Sequence, residues 1–100
     1  MAQYDVFELR AEPRLVVSVQ SDLVSSTLDS SLVIPLFSQS DAPWPFARLT
    51  PRLNFGGRTW LLGTPLMIGM PKMELKKWMG SVAEHQYEIM NAIDFLLGGV

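Results

Sequence analysis

The chain of 100 residues contains no cysteine and a single histidine, His85. Without cysteine there is no disulfide framework and no thiolate metal site, and one histidine excludes a cluster of histidine ligands. A surplus of positive charge is also missing, because the chain has 8 lysines and arginines and 10 aspartates and glutamates. A duplex-binding protein usually carries a surplus of clustered positive charge. We therefore expect no cofactor, no metal and no direct contact with nucleic acid.

Targeting signals are absent as well. The N-terminus has neither the basic region nor the apolar core of a signal peptide. No run reaches the roughly 20 apolar residues that a membrane span needs. We therefore expect a soluble, cytoplasmic protein without membrane contact. The length and the 48% content of hydrophobic residues predict one domain covering residues 1–100.

The pattern of a catalytic site is missing too. Catalysis needs a nucleophile, a base and a group that orients them, whereas the carboxylates are scattered without the spacing of an acid–base pair. We expect His85, which lies one residue off the main apolar stripe of a predicted helix, to face solvent or a partner. Gly56-Gly57 lacks the following Lys and Ser/Thr of a phosphate-binding loop and predicts a hairpin turn. The sequence favours a binding protein over an enzyme.

What the sequence does contain is a series of short apolar runs separated by glycine, proline and polar residues. These runs predict five to seven strands, at 4–9, 15–19, 32–37, 48–55, 58–62 and 66–70, the first two forming an antiparallel hairpin. The stretches 20–31 and 38–45 are predicted loops. Pro35 has no N–H to donate and predicts a bulge or an edge. Segment 72–79 stays ambiguous, with a short strand at 73–75 or a helical turn at 76–79.

One long helical pattern ends the chain, from Ser81 to Val100. Ser81 and Glu84 have the spacing of a capping box, and Gly98-Gly99 is a typical helix end. The apolar positions form one stripe that predicts packing against the sheet: Val82, Ile89, Ile93, Leu96 and Leu97. We therefore predict a mainly β fold, in which a small barrel of antiparallel strands carries a long C-terminal helix.

Two motifs resemble those of the CcdB family of toxins. They are Val-Gln-Ser-Asp-Leu-Val at 19–24 and Leu-Val-Ile-Pro-Leu at 32–36, and Trp60 and the Asn-Ala-Ile of 91–93 match as well. The resemblance covers essentially the whole chain. It implies an SH3-like barrel, a homodimer, and a toxin that binds the A subunit of DNA gyrase and traps cleaved DNA. It also implies a CcdA-like antitoxin that masks the toxin through a disordered arm.

The same resemblance implies gyrase contacts at the helix tip and the loop beside it. The matching positions are Leu23, Val24, Ser25, Gln86, Asp94, Leu97, Gly98, Gly99 and Val100. Three of them depart from the family, since Gly98 replaces a tryptophan, Ser25 an acid and Gln86 a glutamate. Losing an aromatic anchor at an interface centre costs at least ~2 kcal/mol of binding free energy. These departures weaken the expectation of gyrase binding.

Other surfaces follow from pattern alone. The methionine-rich run 66–70 fits either a buried strand or self-association, and we predict a two-fold interface there and at the helix end. Its members are Leu66, Met67, Ile68 and Met70. The antitoxin arm is predicted on the first hairpin, at Leu9, Arg10 and Arg14. Lys72, Lys76 and Lys77 form a basic cluster that we expect to be solvated.

Three alternatives stay open beside a gyrase-directed toxin. The first is a toxin-like protein whose target is lost or changed, because Gly98 replaces the tryptophan. The second is an endoribonuclease like the MazF/Kid toxins, which share the barrel and need a basic groove with an acid–base set. The arginines available for such a groove are Arg10, Arg14, Arg48, Arg52 and Arg58. The third is an interaction module without toxicity.

Overall fold

The computed structural model describes residues 2–41 and 47–99. Seven strands and two α-helices follow one another in the order β1 (Asp5–Glu8), β2 (Leu15–Ser18), α1 (Asp22–Ser25), β3 (Ser30–Ser38), β4 (Arg52–Phe55), β5 (Arg58–Leu62), β6 (Ile68–Pro71), β7 (Lys77–Ser81) and α2 (Gln86–Gly98). Single 3₁₀ turns occupy Gln39–Asp41, Thr64–Leu66, Lys72–Glu74 and Ala83–His85. No helix among these residues is long and apolar enough to cross a membrane.

All strand pairs are antiparallel, in the order β4-β5-β3-β2-β1-β7, with β6 added to β3. Strand β3 is central, bonding to β2 along one edge and to β6 and then β5 along the other. Pro35 lies where that second edge changes partner, and its carbonyl accepts from the Gly63 N–H at 2.8 Å. The irregularity predicted at Pro35 is therefore a change of partner strand.

The sheet curls until its two outermost strands, β4 and β7, approach each other. A Cβ on Gly80 of β7 would lie 2.9 Å from Cε1 of Phe55 in β4, so glycine permits this approach. A register shift between Val6 and Phe7 leaves Met79 as the extra residue on β7, and such a bulge increases local bending. The result is a half-barrel of antiparallel strands with a C-terminal helix, as predicted.

The main core lies between the curled sheet and α2. It contains Tyr4, Val6, Val17, Val19, Ile34, Leu36, Leu53, Leu62, Val82, Ile89 and Ala92. A smaller cluster forms separately from Phe7, Val16, Val33 and Leu75. Neighbouring Val16 and Val17 belong to different clusters, because successive side chains of a strand point to opposite faces. The strand predicted at 15–19 is confirmed as Leu15–Ser18, and it is buried on both faces.

Helix α2 begins later than predicted, at Gln86 instead of Ser81. Ser81 is the last residue of β7 and pairs with Asp5. Its hydroxyl accepts from the Ala83 N–H at 3.1 Å, so the predicted capping box with Glu84 is wrong. The ladder with β1 holds this stretch extended, and one 3₁₀ turn then leads into the helix. The predicted end is confirmed, since Gly99 is left-handed at φ 72° and donates to the Phe95 carbonyl at 2.9 Å.

Both alternatives for segment 72–79 are wrong. Lys72–Glu74 is a 3₁₀ turn, whereas Lys77–Ser81 is the strand that pairs with β1. The tertiary pairing with β1 overrides the helical tendency of the lysines. The predicted strand at 66–70 is shifted, because Leu66 lies in a turn and β6 runs from Ile68 to Pro71. The predicted strand at 48–55 is regular only from Arg52.

The turn at Gly56-Gly57 is confirmed, with positive φ angles of 60° and 76°. The predicted loop 20–31 contains α1, which the sequence did not reveal. Ser21 starts this short helix, because its hydroxyl accepts from the Leu23 N–H at 3.3 Å. Residues 42–45 of the other predicted loop, including Trp44, and the terminal Val100 lie outside the described residues.

Candidate functional site

The first predicted contact segment is α1. Leu23 is 86% exposed and Val24 is 45% exposed, so both present apolar surface to solvent. Ser25 is buried, and its hydroxyl accepts from Gln20 Nε2 at 3.2 Å. The structure therefore makes Leu23 and Val24 available to a partner, whereas the Ser25 side chain supports the turn from within.

The second predicted segment is the outer part of α2. Gln86, Asp94, Leu97, Gly98 and Gly99 are all exposed, and Leu97 is 76% exposed. Leu97 was predicted on the buried stripe, and that prediction is wrong. Its position on the helix is turned away from Ile89 and Ala92, the two residues of α2 that are fully buried.

Two further residues share the outward face of α2. Tyr87 and Met90, which are 74% and 38% exposed, form one row with Asp94 and Leu97 at successive steps of three, four and three positions. The sequence analysis did not identify this row. The signal was present as the spacing i, i+3, i+7 and i+10 from Tyr87 to Leu97.

The two contact segments are held in different ways. Segment α1 bonds to Gln3, Gln20 and Lys72, whereas α2 packs beside the Thr64–Leu66 turn and its Phe95 ring lies under Arg48. No hydrogen bond or ion pair described for residues 2–41 and 47–99 joins α1 to α2. The chain presents them as two separate apolar elements.

His85 is not free, contrary to the expectation that it faces solvent or a partner. Its side chain is 14% exposed, and Nε2 accepts from the Asn54 N–H at 3.1 Å. Since Nε2 accepts, Nδ1 carries the proton and donates to Glu88 Oε2 at 2.5 Å. Both ring nitrogens are occupied, so His85 connects the start of α2 to the edge of β4 and is not placed as a general base.

The first hairpin borders an open groove of about 310 Å³. Arg14 lies over the Phe37 ring at 4.8 Å, and Glu12, Asp41 and Trp60 complete the polar and aromatic lining. Of the residues predicted to bind an antitoxin, Arg14 lines this groove and Arg10 is exposed. Leu9 is half-buried against the smaller cluster. The hairpin thus offers one wall of a mixed apolar and charged groove.

Two of the five arginines considered for a basic groove lie beside the groove of the first hairpin. Arg14 lines it, and Arg58 stacks at 4.7 Å on Trp60, which also lines it. Arg48 lines a different pocket and stacks on Phe95 of α2 at 4.4 Å. In the described part of the chain no group of three or more His, Asp or Glu could hold a metal ion. Burial raises the pKa of Tyr4 above its ordinary value of 10.0, and Tyr4 belongs to the main core.

The run predicted for the dimer is divided between surface and core. Leu66 and Ile68 are 49% and 54% exposed. Met67 packs on the main core and Met70 on the smaller cluster. Only Leu66 and Ile68 are therefore available to a second copy without rearrangement.

Comparison with known proteins gives two findings. The family model described as CcdB protein matches residues 3–99. The structure is similar to the solved structure of an "Endoribonuclease from Mycobacterial species", with a TM-score of 0.82. That likeness covers 98% of this chain and 91% of the other at 13% sequence identity. At an identity this low, the likeness shows a shared fold, and it carries no conclusion about activity.

Proposed function

The chain belongs to the CcdB family of toxin–antitoxin toxins, and we propose that it binds the A subunit of DNA gyrase and traps the enzyme on cleaved DNA. The observation that carries the proposal is the outward tip of α2, where Leu97 is 76% exposed and the helix ends at Gly99. Leaving such a side chain in water gives up roughly 1.5–3 kcal/mol of burial free energy, which a partner can recover.

The proposed contact surface contains α1 and the outer face of α2. It comprises Leu23, Val24, Gln86, Asp94, Leu97, Gly98, Gly99 and Val100, with Ser25 supporting α1 from inside. Gly98 supplies no aromatic ring where the family has tryptophan. Tyr87 and Met90 lie on the same outward face as Leu97. We assign to them the apolar contact area that Gly98 does not provide.

The proposed action is binding without catalysis. The only histidine has both ring nitrogens in hydrogen bonds and is therefore not placed as a general base. A toxin of this kind acts stoichiometrically, by stabilising one state of its target. We also propose that the chain is one cytoplasmic domain, that it pairs as a homodimer through Leu66 and Ile68, and that a CcdA-like antitoxin arm uses the groove beside Arg14.

A DNA cleavage assay tests the gyrase proposal. Purified protein, gyrase, ATP and supercoiled plasmid are mixed, and denaturant and protease then release any trapped breaks. We expect linear DNA to accumulate, and deletion of residues 98–100 to abolish it. Met73→Asp is the matched control, because Met73 is 61% exposed outside the proposed surface and should not matter. Absence of linear DNA at saturating protein contradicts the proposal.

A Gly98→Trp variant separates this proposal from the alternative of a changed target. If the natural chain is inactive and Gly98→Trp traps cleaved DNA, the chain has the scaffold of a gyrase toxin but has lost the anchor. If the natural chain is already active, the tryptophan should strengthen binding roughly 30-fold, the factor that corresponds to an anchor of about 2 kcal/mol.

One observation favours a second candidate, an endoribonuclease. The Arg14–Phe37 stack and Trp60 in one groove resemble the cation and aromatic platforms that bind single-stranded nucleic acid. Glu12 and Asp41 in the same groove oppose a phosphate backbone. Incubating the protein with single-stranded RNA decides this point. We expect no cleavage, and cuts that disappear in Arg14→Ala would establish the ribonuclease instead.

A further inference from the structure

The exposed pair Leu23 and Val24 is carried by a helix of only four residues. A single turn of helix is not stable alone, because nucleation costs more than one hydrogen bond returns. Its core contribution is also small, since only Ser25 of α1 is buried. The conformation of α1 must therefore be fixed by contacts from other parts of the chain.

Three residues outside α1 supply these contacts, and two of them, Gln3 and Lys72, are distant in sequence. The Gln3 N–H donates to Asp22 Oδ1 at 2.6 Å at the start of α1. Gln20 Nε2 donates to the Ser25 hydroxyl and, at 2.9 Å, to the Ser30 carbonyl. At the end of α1, Lys72 Nζ donates to the Ser25 carbonyl. The three contacts hold the start, the middle and the end of the turn.

The contact from Lys72 differs from the others in its chemistry. The last carbonyls of a helix have no partner inside the helix and form the negative end of its dipole. A lysine ammonium there makes a charge-assisted hydrogen bond, which is stronger than a neutral one. Lys72 is half-buried, unlike exposed Lys76 and Lys77, so the prediction that the whole basic cluster is solvated is wrong for this residue.

The backbone fixes where the Lys72 side chain starts. The Lys72 N–H donates to the Asp29 carbonyl at 2.9 Å, and the preceding residue, Pro71, pairs with Ser30 in the sheet. Residue 72 is thereby attached to the far end of the same segment that contains α1. The ammonium spans from a rigid strand end to the end of a turn whose other supports are local. These are the Ser26 hydroxyl, which donates to the Leu23 carbonyl, and the N–H groups of residues 27 and 28, which donate to the Val24 carbonyl.

We propose that Lys72 is a positioning residue for target binding: its ammonium holds the end of α1 and so sets how Leu23 and Val24 are presented. Lys72 itself does not touch the target. The identity of that target rests on the proposed function, whereas the hold on α1 does not.

Amide hydrogen exchange of the free protein tests the hold directly. The amides of Val24, Ser25 and Ser26 donate to the Ser21 and Asp22 carbonyls. In Lys72→Met we expect these amides to exchange about tenfold faster, the size expected from losing one charge-assisted hydrogen bond. Lys72→Arg should keep the slow rate, and Lys76→Met is the matched control. Unchanged exchange in Lys72→Met overturns the proposal.

Binding to the gyrase A subunit tests the positioning role. Lys72→Met should weaken binding about tenfold with no change in the exchange of β3 amides, and Lys72→Arg should restore it. In a Leu23→Ala background, Lys72→Met should cost little more, because both changes act on one contact. Additive losses, or full affinity with a loosened α1, overturn the role. If the natural chain does not bind gyrase, the proposed function fails, and the exchange result still decides the hold.

Discussion

The two ends of helix α2 are built differently. At its start, His85 bonds to Asn54 of β4, and Ile89 and Ala92 are fully buried in the main core. At its end, Leu97 is 76% exposed and Gly99 closes the last turn in a left-handed conformation. One continuous helix therefore contributes a structural half and a surface half. The surface half adds little to the main core, and it carries the helix tip that we propose as a contact for the gyrase A subunit.

The comparison is sharpest for two aliphatic residues on the same helix. Ile89→Ala should lower the free energy of unfolding by about 2–5 kcal/mol, because it leaves a cavity in the main core. Leu97→Ala should change it by less than about 0.5 kcal/mol, as exposed substitutions generally do. Urea unfolding of both variants measures the difference. Equal losses would mean that the tip is packed in solution and that the two halves are alike.

The His85 connection comes next in expected effect. His85→Ala should destabilise the protein by about 1–2 kcal/mol, because it removes the hydrogen bonds to Asn54 and Glu88 together. Gln86→Ala, at the neighbouring exposed position, is the matched control and should be close to neutral. Thermal unfolding checks both. A neutral His85→Ala would show that β4 and α2 hold together without the imidazole.

Gly99→Ala should destabilise the last turn of α2 by about 1 kcal/mol, so that this turn frays more often. No atom lies within 4 Å of a Cβ built at Gly99, so the cost comes from its φ of 72° and not from a clash. Gly69→Ala is the matched control, because it is equally open and has no positive φ. The expected result is faster exchange of the amide at position 99 in the first variant only.

The smallest effect is predicted in the Thr64–Leu66 turn, which packs beside α2. Thr64 is fully buried, and its hydroxyl has no hydrogen-bond partner within the described structure. Thr64→Val should therefore raise the free energy of unfolding by up to about 1 kcal/mol. Thr59→Val is the control, since the Thr59 hydroxyl donates to Asn54 Oδ1 at 3.4 Å. A destabilised Thr64→Val would indicate that the hydroxyl has a partner after all.

The sequence predicted what local patterns determine. The apolar run at 15–19 specified β2, paired glycines specified the β4–β5 turn, and Gly99 specified the end of α2. The failures share another cause, namely pairing between distant segments. Strand β7 exists because β1 offers an edge to Lys77–Ser81. The same ladder delays α2, and no local pattern contains that information.

The sequence predicted which residues belong to the candidate site better than it predicted which of them are exposed and what holds them in place. Motif resemblance selected Leu23, Val24 and Leu97, which are exposed, but also Ser25, which is buried. The roles of Lys72 and His85 depend on contacts across 47 and 31 residues, so sequence spacing gave no indication of them. The row from Tyr87 to Leu97 had the required spacing, yet it was hidden by the charged residues between its members.

The most direct test of the proposed target is the affinity of the protein for the isolated gyrase A subunit. Titration calorimetry measures this affinity for the natural chain and for two variants. Leu97→Asp should weaken binding by roughly 30-fold or more, as expected for an anchor at an interface centre. The second variant, Trp78→Asp, changes a residue of β7 that is 61% exposed outside the proposed surface and should bind like the natural chain. Equal affinity of all three proteins, or no binding by the natural chain, would contradict the account.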